Sequence, residues 1–389
     1  MRLALLAGNR FSPWHLRVFE RLRPQPEVIA FRAESEIQRH FTARGADTLP
    51  FPVERIFFDT QCGPRLRRLA NALLERYAGR EPRLLPFHER LQGFDLIQTW
   101  ELFPDWTAEA LEARKQGSAP LCAMIWDNIP FNMERDARRR AIKRRALAEV
   151  DRFIVHSDRS RRMLLLEGAN DERISKIEPG VDTSLFSPGP RHRGVFGMDE
   201  DSFVILFVGW FLPRKGLDFL LLALKELLQD PKLRAKRPTL LAIGSGPGKE
   251  RIDGLVSRLE LGSACCFPGA LPYDMMPEAF RAADVLVLPS IATPEWQEQF
   301  GMALIEAMAC GVPVVSTHSG AIPEIVGDAG VLCQPNDFAS IADALRGLMN
   351  SPELRQDLAG RGRDRALARF TMEAFAAALS GVYDRAMNA

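Results

Sequence analysis

FVILFVGWFLPRKGLDFLLLALKELLQ, residues 203–229, decides the fold. The run from Phe203 to Val208 is continuously hydrophobic rather than alternating, the pattern of a strand covered on both faces of a parallel sheet. Gly209 and Gly216 bracket a turn that carries Arg214 and Lys215. Apolar residues then return at helical spacing, which predicts a helix over 216–229. The same unit recurs in both directions. Strand-like runs are RLALLAG from Arg2, VIAFRA from Val28, FDLIQTW from Phe94, LCAMIWD from Leu121 and RFIVHS from Arg152. A second series adds TLLAIGSG from Thr239, ADVLVLPS from Ala283, PVVSTHSG from Pro313 and GVLCQP from Gly330. Helical candidates lie between them at 247–261, 300–310 and 337–349, and two more close the chain at 352–369 and 372–387. Alternating strand and helix predicts doubly wound α/β domains.

The Pro- and Gly-rich stretch from Glu178 to Gly194 has no periodic pattern and divides the two series. The expected organisation is an N-terminal domain over 1–182, a linker at 183–194, a C-terminal domain over 195–369 and a terminal helix over 370–389. The length of 389 residues fits two domains at about 100–200 residues each. Lys plus Arg is 51 and Asp plus Glu is 50, so the net charge of +1 gives no argument for a nucleic-acid partner. No C-x-x-C pair occurs among the six cysteines, and no H-x-x-x-H pair among the histidines. Reduced, buried thiols and no bound metal are expected. Asp199-Glu200-Asp201 precedes its strand, which fits a solvated turn rather than a cation site facing substrate. The apolar run Leu3–Ala7 is too short for a signal peptide, and a soluble, cytoplasmic protein is expected.

In open α/β sheets ligands bind beyond the carboxyl ends of the strands. The residues there include Gly8 and Asn9, Trp100 and Glu101, Asp127 and Asn128, Gly209 to Gly216, Gly244 to Gly248, Pro289 to Gly301, and Ser319 to Glu324. Two domains facing each other would pool these rims around one cleft.

The strongest signal is PEWQEQFGMALIEAMACGVPVVSTHSGAIPEIV, residues 294–326. Phe300 and Gly301 open a helix that ends at Gly311, with Glu298 ahead of it and Glu306 inside it. Glu306 lies about 7.5 Å along the helix from Gly301. A helix N-terminus attracts an anion, while carboxylates repel phosphate and accept hydrogen bonds from sugar hydroxyls. That layout matches a nucleotide sugar, with the diphosphate at the helix end and one sugar near each glutamate. Two solvated helix-face acids are the plain alternative for the bare pair. Arg214 and Lys215 would neutralise phosphate charge, or form an exposed basic turn. GSGPGKE from Gly244 matches neither a G-x-x-x-x-G-K-[ST] loop nor a G-x-G-x-x-G fingerprint, and taken alone is a tight turn before a helix.

These motifs, with FVGWFLPRKG, AADVLVLPS, EPGVDTSLF and the final ARFTMEAF segment, resemble the retaining glycosyltransferases of the large sucrose-synthase-like and mannosyltransferase-like family, glycosyltransferase family 4, group 1. The resemblance is strong over 175–389 and weaker over 1–174. It implies an α/β GT-B fold: two Rossmann-like domains facing a cleft, with the C-terminal helix crossing back onto the N-terminal domain. It implies sugar transfer from a UDP- or GDP-sugar to an acceptor hydroxyl, with no cofactor beyond that donor substrate. Glu306 would bind the ribose. Glu298 would bind the transferred sugar together with backbone at Phe300, Gly301 and Met302. Lys215 would bind the diphosphate, with Gly8, Gly209, Arg214 and Gly244 around it. Base recognition would fall near Leu271, within Gly269–Tyr273. Two departures stand out. Trp210 occupies the place of the family's usual Arg, and Asp127 or Asn128 that of its usual His. Asp127 is then the candidate for orienting the sugar or the attacking hydroxyl, beside its plainer reading as a turn cap. Glu298 and Lys215 complete the catalytic set.

Two segments are basic: residues 134–150, with seven Lys and Arg, and residues 65–91. Solvated helix faces, contact with the inner face of a membrane and a groove for a phosphorylated acceptor all fit them. A sugar epimerase of the same fold and a non-catalytic nucleotide-sugar-binding protein are the competing functions.

Overall fold

A computed structural model describes residues 1–8, 16–33, 51–59, 69–70, 73, 83–117 and 119–388. The chain divides into two compact units. Unit 1 comprises Met1–His156, Ser160–Ile177 and Glu373–Ala389; unit 2 comprises Ser157–Arg159 and Glu178–Met372. The change of unit at Ile177/Glu178 comes ahead of the expected linker at 183–194.

Unit 1 carries β1 (Arg2–Gly8), β2 (Glu27–Ala33), β3 (Val53–Ile56), β4 (Leu96–Trp100), β5 (Leu121–Ile125), β6 (Arg152–Val155) and β7 (Ile174–Lys176). Its helices include α1 (Asp105–Lys115) and α2 (Ala137–Glu149), followed by α3 (Asp158–Leu166), whose first residues belong to unit 2. The strands form one parallel sheet in the order β3-β2-β1-β4-β5-β6-β7.

Unit 2 holds β8 (Phe203–Val208), α4 (Leu217–Gln229), α5 (Pro231–Arg234), β9 (Pro238–Ile243), α6 (Lys249–Arg258), β10 (Cys265–Gly269) and α7 (Met276–Ala282). It continues with β11 (Val285–Leu288), α8 (Met302–Ala309), β12 (Val314–Thr317), α9 (Ile322–Val326), β13 (Val331–Cys333), α10 (Phe338–Asn350) and α11 (Pro352–Arg369). Its parallel sheet runs β10-β9-β8-β11-β12-β13. The last helix, α12 (Met372–Met387), belongs to unit 1 from Glu373 onward. There Tyr383 is buried and donates its hydroxyl hydrogen bond to Gln98 of β4.

Both sheets therefore start at a central strand, wind outward and reverse, which is the Rossmann order. Each has a switch point at the strand where the winding changes direction: β1/β4 in unit 1 and β8/β11 in unit 2. In unit 2, Ile205 and Phe207 of β8 point into a cluster with Leu220, Leu224 and Leu227 of α4 and Leu345 of α10. Burial of such side chains contributes roughly 1.5–3 kcal/mol each.

Every strand expected from the sequence is present. The strands it did not announce are β3, β7 and β10, all at sheet edges and only partly covered. Their residues are mostly only partly buried and so lack a continuous apolar run, whereas β13, also at an edge, keeps one in GVLCQP. Among the described residues no helix is long and apolar enough to cross a membrane.

Candidate functional site

The rim of unit 2 is built by close backbone approaches that only glycine permits. Gly216 sits at φ 70° after the short turn Pro213–Lys215, where a Cβ would lie 1.9 Å from the carbonyl oxygen of Pro289. A Cβ on Gly320, at φ 55°, would lie 1.9 Å from the carbonyl oxygen of Glu298. The loops after β8, β11 and β12 are thereby drawn together at the switch point. Backbone hydrogen bonds fix them: Ile291 donates to the Arg214 carbonyl at 2.9 Å, and Ala321 to that of Glu298 at 2.9 Å. Gly209 and Gly244 lie side by side, since a Cβ on Gly244 would stand 1.9 Å from the Gly209 oxygen.

This scaffold brings Lys215 and Glu298 into contact. Lys215 Nζ lies 2.7 Å from Glu298 Oε2, and the Ser290 hydroxyl donates to the same oxygen at 2.6 Å. The Glu298 backbone N–H also donates to Ser319 Oγ at 3.3 Å. The ring of Trp296 stands beside both cations of the turn, 4.9 Å from the Arg214 guanidinium carbon and 5.0 Å from Lys215 Nζ.

Gly301, at φ 91°, starts α8, and Leu304 donates back to its carbonyl at 2.8 Å. Glu306 lies on this helix, 5% exposed, and accepts from the Tyr273 hydroxyl at 3.2 Å. Burial pushes its carboxyl up to about 7, with the Tyr273 hydrogen bond opposing. Met302 is half-buried in the first turn. Phe300 is a core residue instead, packed perpendicular to Phe370 at 5.9 Å, so it offers backbone rather than side chain to a ligand. Leu271, half-buried, lies just after β10 and near Tyr273 in sequence. Trp210 is 43% exposed.

The rim of unit 1 holds Gly8 and Asp127, at the ends of β1 and β5. A Cβ on Gly8 (φ 57°) would fall 2.4 Å from the Trp106 ring, so this glycine is explained by packing. Asn9 lies outside the described residues. Asp127 is 6% exposed. Its Oδ1 accepts from the backbone of Asn128 at 2.8 Å and Ile129 at 3.3 Å, and from Asn132 Nδ2 at 3.1 Å. Its Oδ2 is buried and has no hydrogen-bond partner among the described residues. Glu101 is 1% exposed and has φ 62°; its carboxylate accepts from Trp126 N at 3.3 Å and Asp127 N at 3.4 Å. His156 is fully buried, bonds the Ile177 carbonyl through Nδ1 at 2.8 Å and packs on Trp126.

Ser290, Trp296 and Ser319 fall within the rim segments expected from the sequence and Tyr273 within the expected base region, but none of the four carried an individual role there. Ser290 and Ser319 follow buried strands, which is the rule that marked those rims. Trp296 carries no signal of its own, because its ring acts through the cations it faces. The basic segment 134–150 also differs from expectation: Lys143 is 2% exposed and pairs with Glu167 at 2.5 Å. In the same segment Arg138 pairs with Asp105, and Arg145 with Glu112 and Glu149. Most of the basic stretch 65–91 lies outside the described residues. Burial pushes the Cys265 and Cys310 thiols up to about 12, against a nucleophilic role.

The two Rossmann-like units together are the GT-B architecture. Residues 17–185 match the sequence profile described as Glycosyltransferase Family 4, and residues 190–365 that described as Glycosyl transferases group 1. The chain belongs to this glycosyltransferase family. D-inositol 3-phosphate glycosyltransferase 2 of Catenulispora acidiphila is 34% identical over 251 residues, covering 61% of this chain and 57% of that protein. The namesake protein of Saccharomonospora viridis is 35% identical over 254 residues, 62% of this chain and 57% of its own. The matched stretch spans a little over half the length of these curated relatives. Among solved structures, Anabaena Alr3699/HepE in complex with UDP superposes with a TM-score of 0.77 at 20% identity, over 99% of this chain and 100% of that one. Sucrose-phosphate synthase from Thermosynechococcus elongatus gives 0.76 at 22% identity, over 99% and 98%. At these identities the structural likeness speaks for the fold.

Proposed function

We propose that the protein transfers a sugar from a nucleoside diphosphate sugar to an acceptor hydroxyl with retention of anomeric configuration. The observation that carries this is the contact of Lys215, Glu298 and Ser290 at the unit 2 switch point. A cation that can take diphosphate charge stands there beside a carboxylate that can accept sugar hydroxyls. Glu306 on α8 serves the ribose, Tyr273 orients it, and Leu271 lines the base region. Lys215 and Arg214 neutralise the leaving group through side-chain charge, without a metal ion. The acceptor oxygen bonds to the anomeric carbon as the bond to the diphosphate oxygen breaks, and that departing oxygen takes the acceptor proton. Asp127 orients the acceptor side.

Anabaena Alr3699/HepE is solved with UDP and with UDP-glucose, which supports a uridine donor as the first to test. The curated relatives are named for an inositol phosphate acceptor, which supports a phosphorylated polyol among the first acceptors. The proposed setting is the cytoplasm, where Arg135 and Arg144, exposed on the basic segment, are the residues to meet anionic lipid headgroups.

A thermal-shift panel of nucleoside diphosphates and their sugars tests the proposal, because a ligand of the folded state raises its apparent stability. At least one base should raise Tm by several degrees. A panel without any such shift overturns the proposal.

A further inference from the structure

Lys215 and Arg214 are adjacent like charges on one short turn, and both face the same aromatic ring. Trp296 is half-buried and its backbone is fixed by a reciprocal pair of hydrogen bonds with Thr293, at 2.7 and 3.3 Å. Thr293 Oγ1 adds a third bond to the Trp296 carbonyl at 3.3 Å. Two residues earlier, Ile291 ties the same loop to the Arg214 carbonyl. The backbone segments that carry the ring and the cations are therefore tied together by hydrogen bonds.

The ring face of an indole is negative and attracts cations, most strongly when water is partly excluded. It carries no net charge. A second carboxylate beside the cations would also hold them, but would repel phosphate as strongly as it attracted the cations. An aromatic face draws the two cations together and leaves their charge available to an anion.

We propose that Trp296 is a positioning residue of the diphosphate site, holding Arg214 and Lys215 convergent for the donor's phosphates. This rests on the donor reading above and assigns a role to a residue that reading did not use. It also answers the departure at Trp210. With no Arg at that place, charge neutralisation falls on the two cations of the turn, and their placement matters more.

The test uses the full chain with Trp296→Phe, which keeps a ring face, and Trp296→Leu, which keeps bulk without one. Calorimetry measures the affinity of whichever of UDP, GDP, CDP and ADP binds the wild type most tightly. Trp296→Phe should bind within about threefold of wild type, and Trp296→Leu about tenfold more weakly. The loss should be the same for inorganic pyrophosphate and absent for the free nucleoside. Should the leucine variant not fold, 5-fluorotryptophan replaces the indoles, which drains the ring face without changing its shape. It should weaken diphosphate binding in wild type and leave Trp296→Phe unchanged. Equal affinities for the phenylalanine and leucine variants, or a fluorination effect that persists in Trp296→Phe, overturn the inference alone. A wild-type chain that binds none of the nucleoside diphosphates overturns the donor reading and this inference with it.

Discussion

Lys215 Nζ and Glu298 Oε2 are 2.7 Å apart, so the cation proposed for the donor diphosphate and the carboxylate proposed for the sugar form one ion pair. On the proposed donor reading, a diphosphate would compete with Glu298 for Lys215 and leave the carboxylate to sugar hydroxyls. The two roles can be separated. Glu298→Gln removes the competing charge and should bind nucleoside diphosphate as tightly as wild type or a few-fold better, while transfer falls on the order of a thousandfold. Lys215→Ala should do the reverse to binding, weakening it by about tenfold or more. Calorimetry and a donor-consumption assay read both. Full turnover in Glu298→Gln would sink the assignment.

Glu306 makes the site sensitive to pH. Its folded pKa, about 7, stands above the ordinary carboxylate value of 4.5. The folded state then holds the proton more tightly than the unfolded chain. This contribution to stability is fully present below about 4.5 and lost as pH rises through 7, amounting to roughly 3 kcal/mol. Urea melts between pH 4.5 and 8 should show the decline in wild type and a flatter profile in Glu306→Gln. Binding has the opposite sign if the ionised carboxylate accepts from ribose hydroxyls: nucleoside diphosphate affinity should rise about tenfold from pH 6 to 8 and lose that slope in Glu306→Gln. A slope retained by the variant would place the titrating group elsewhere.

How much of this was legible in the sequence follows from what each residue touches. Phe203 to Val208 announced a central strand because neighbours on both sides require an unbroken apolar run. Val53–Ile56 announced nothing, because Glu54 and Arg55 interrupt it and only Ile56 is buried. Glu298 and Lys215 were legible as chemical types at strand ends, yet their contact was not. It depends on Gly216 passing the Pro289 carbonyl and Gly320 passing that of Glu298, approaches between segments remote in sequence. Trp296 was illegible for a related reason, since an aromatic residue in a loop has no spacing that marks a cation partner. The basic helix misled in the other direction. Lys143 counts as charge in the sequence but is buried against Glu167 in the fold.

Asp127 offers a sharper test than most turn-capping acids. Its Oδ1 serves three donors, and its Oδ2 is buried with no partner among the described residues. Asp127→Asn can keep the Oδ1 bonds and should alter stability by less than about 1 kcal/mol, while Asp127→Ala loses all three and should cost about 2 kcal/mol. If the second oxygen orients the acceptor, Asp127→Asn should still lower turnover about a hundredfold with donor affinity unchanged. An asparagine variant with wild-type kcat would reduce Asp127 to a cap.

Lys143 and Glu167 form a pair with side chains 3% and 1% exposed. Lys143 also donates to the Asn132 carbonyl at 3.3 Å, and Glu167 accepts from Phe131 N at 2.6 Å. Together they hold the loop that follows Asp127. Burial pushes the Glu167 carboxyl up, with the Lys143 hydrogen bond opposing. Removing the cation alone leaves a buried acid uncompensated: Lys143→Met should cost about 3–5 kcal/mol. Replacing both, as Lys143→Met with Glu167→Leu, should recover most of that loss, because a desolvated pair is worth little more than apolar packing. The double variant restores apolar packing but not the bond to Phe131 N. It should therefore be stable in urea yet show a raised KM for acceptor, if this loop presents the acceptor to Asp127. Recovery of both stability and KM would make the pair a matter of folding only.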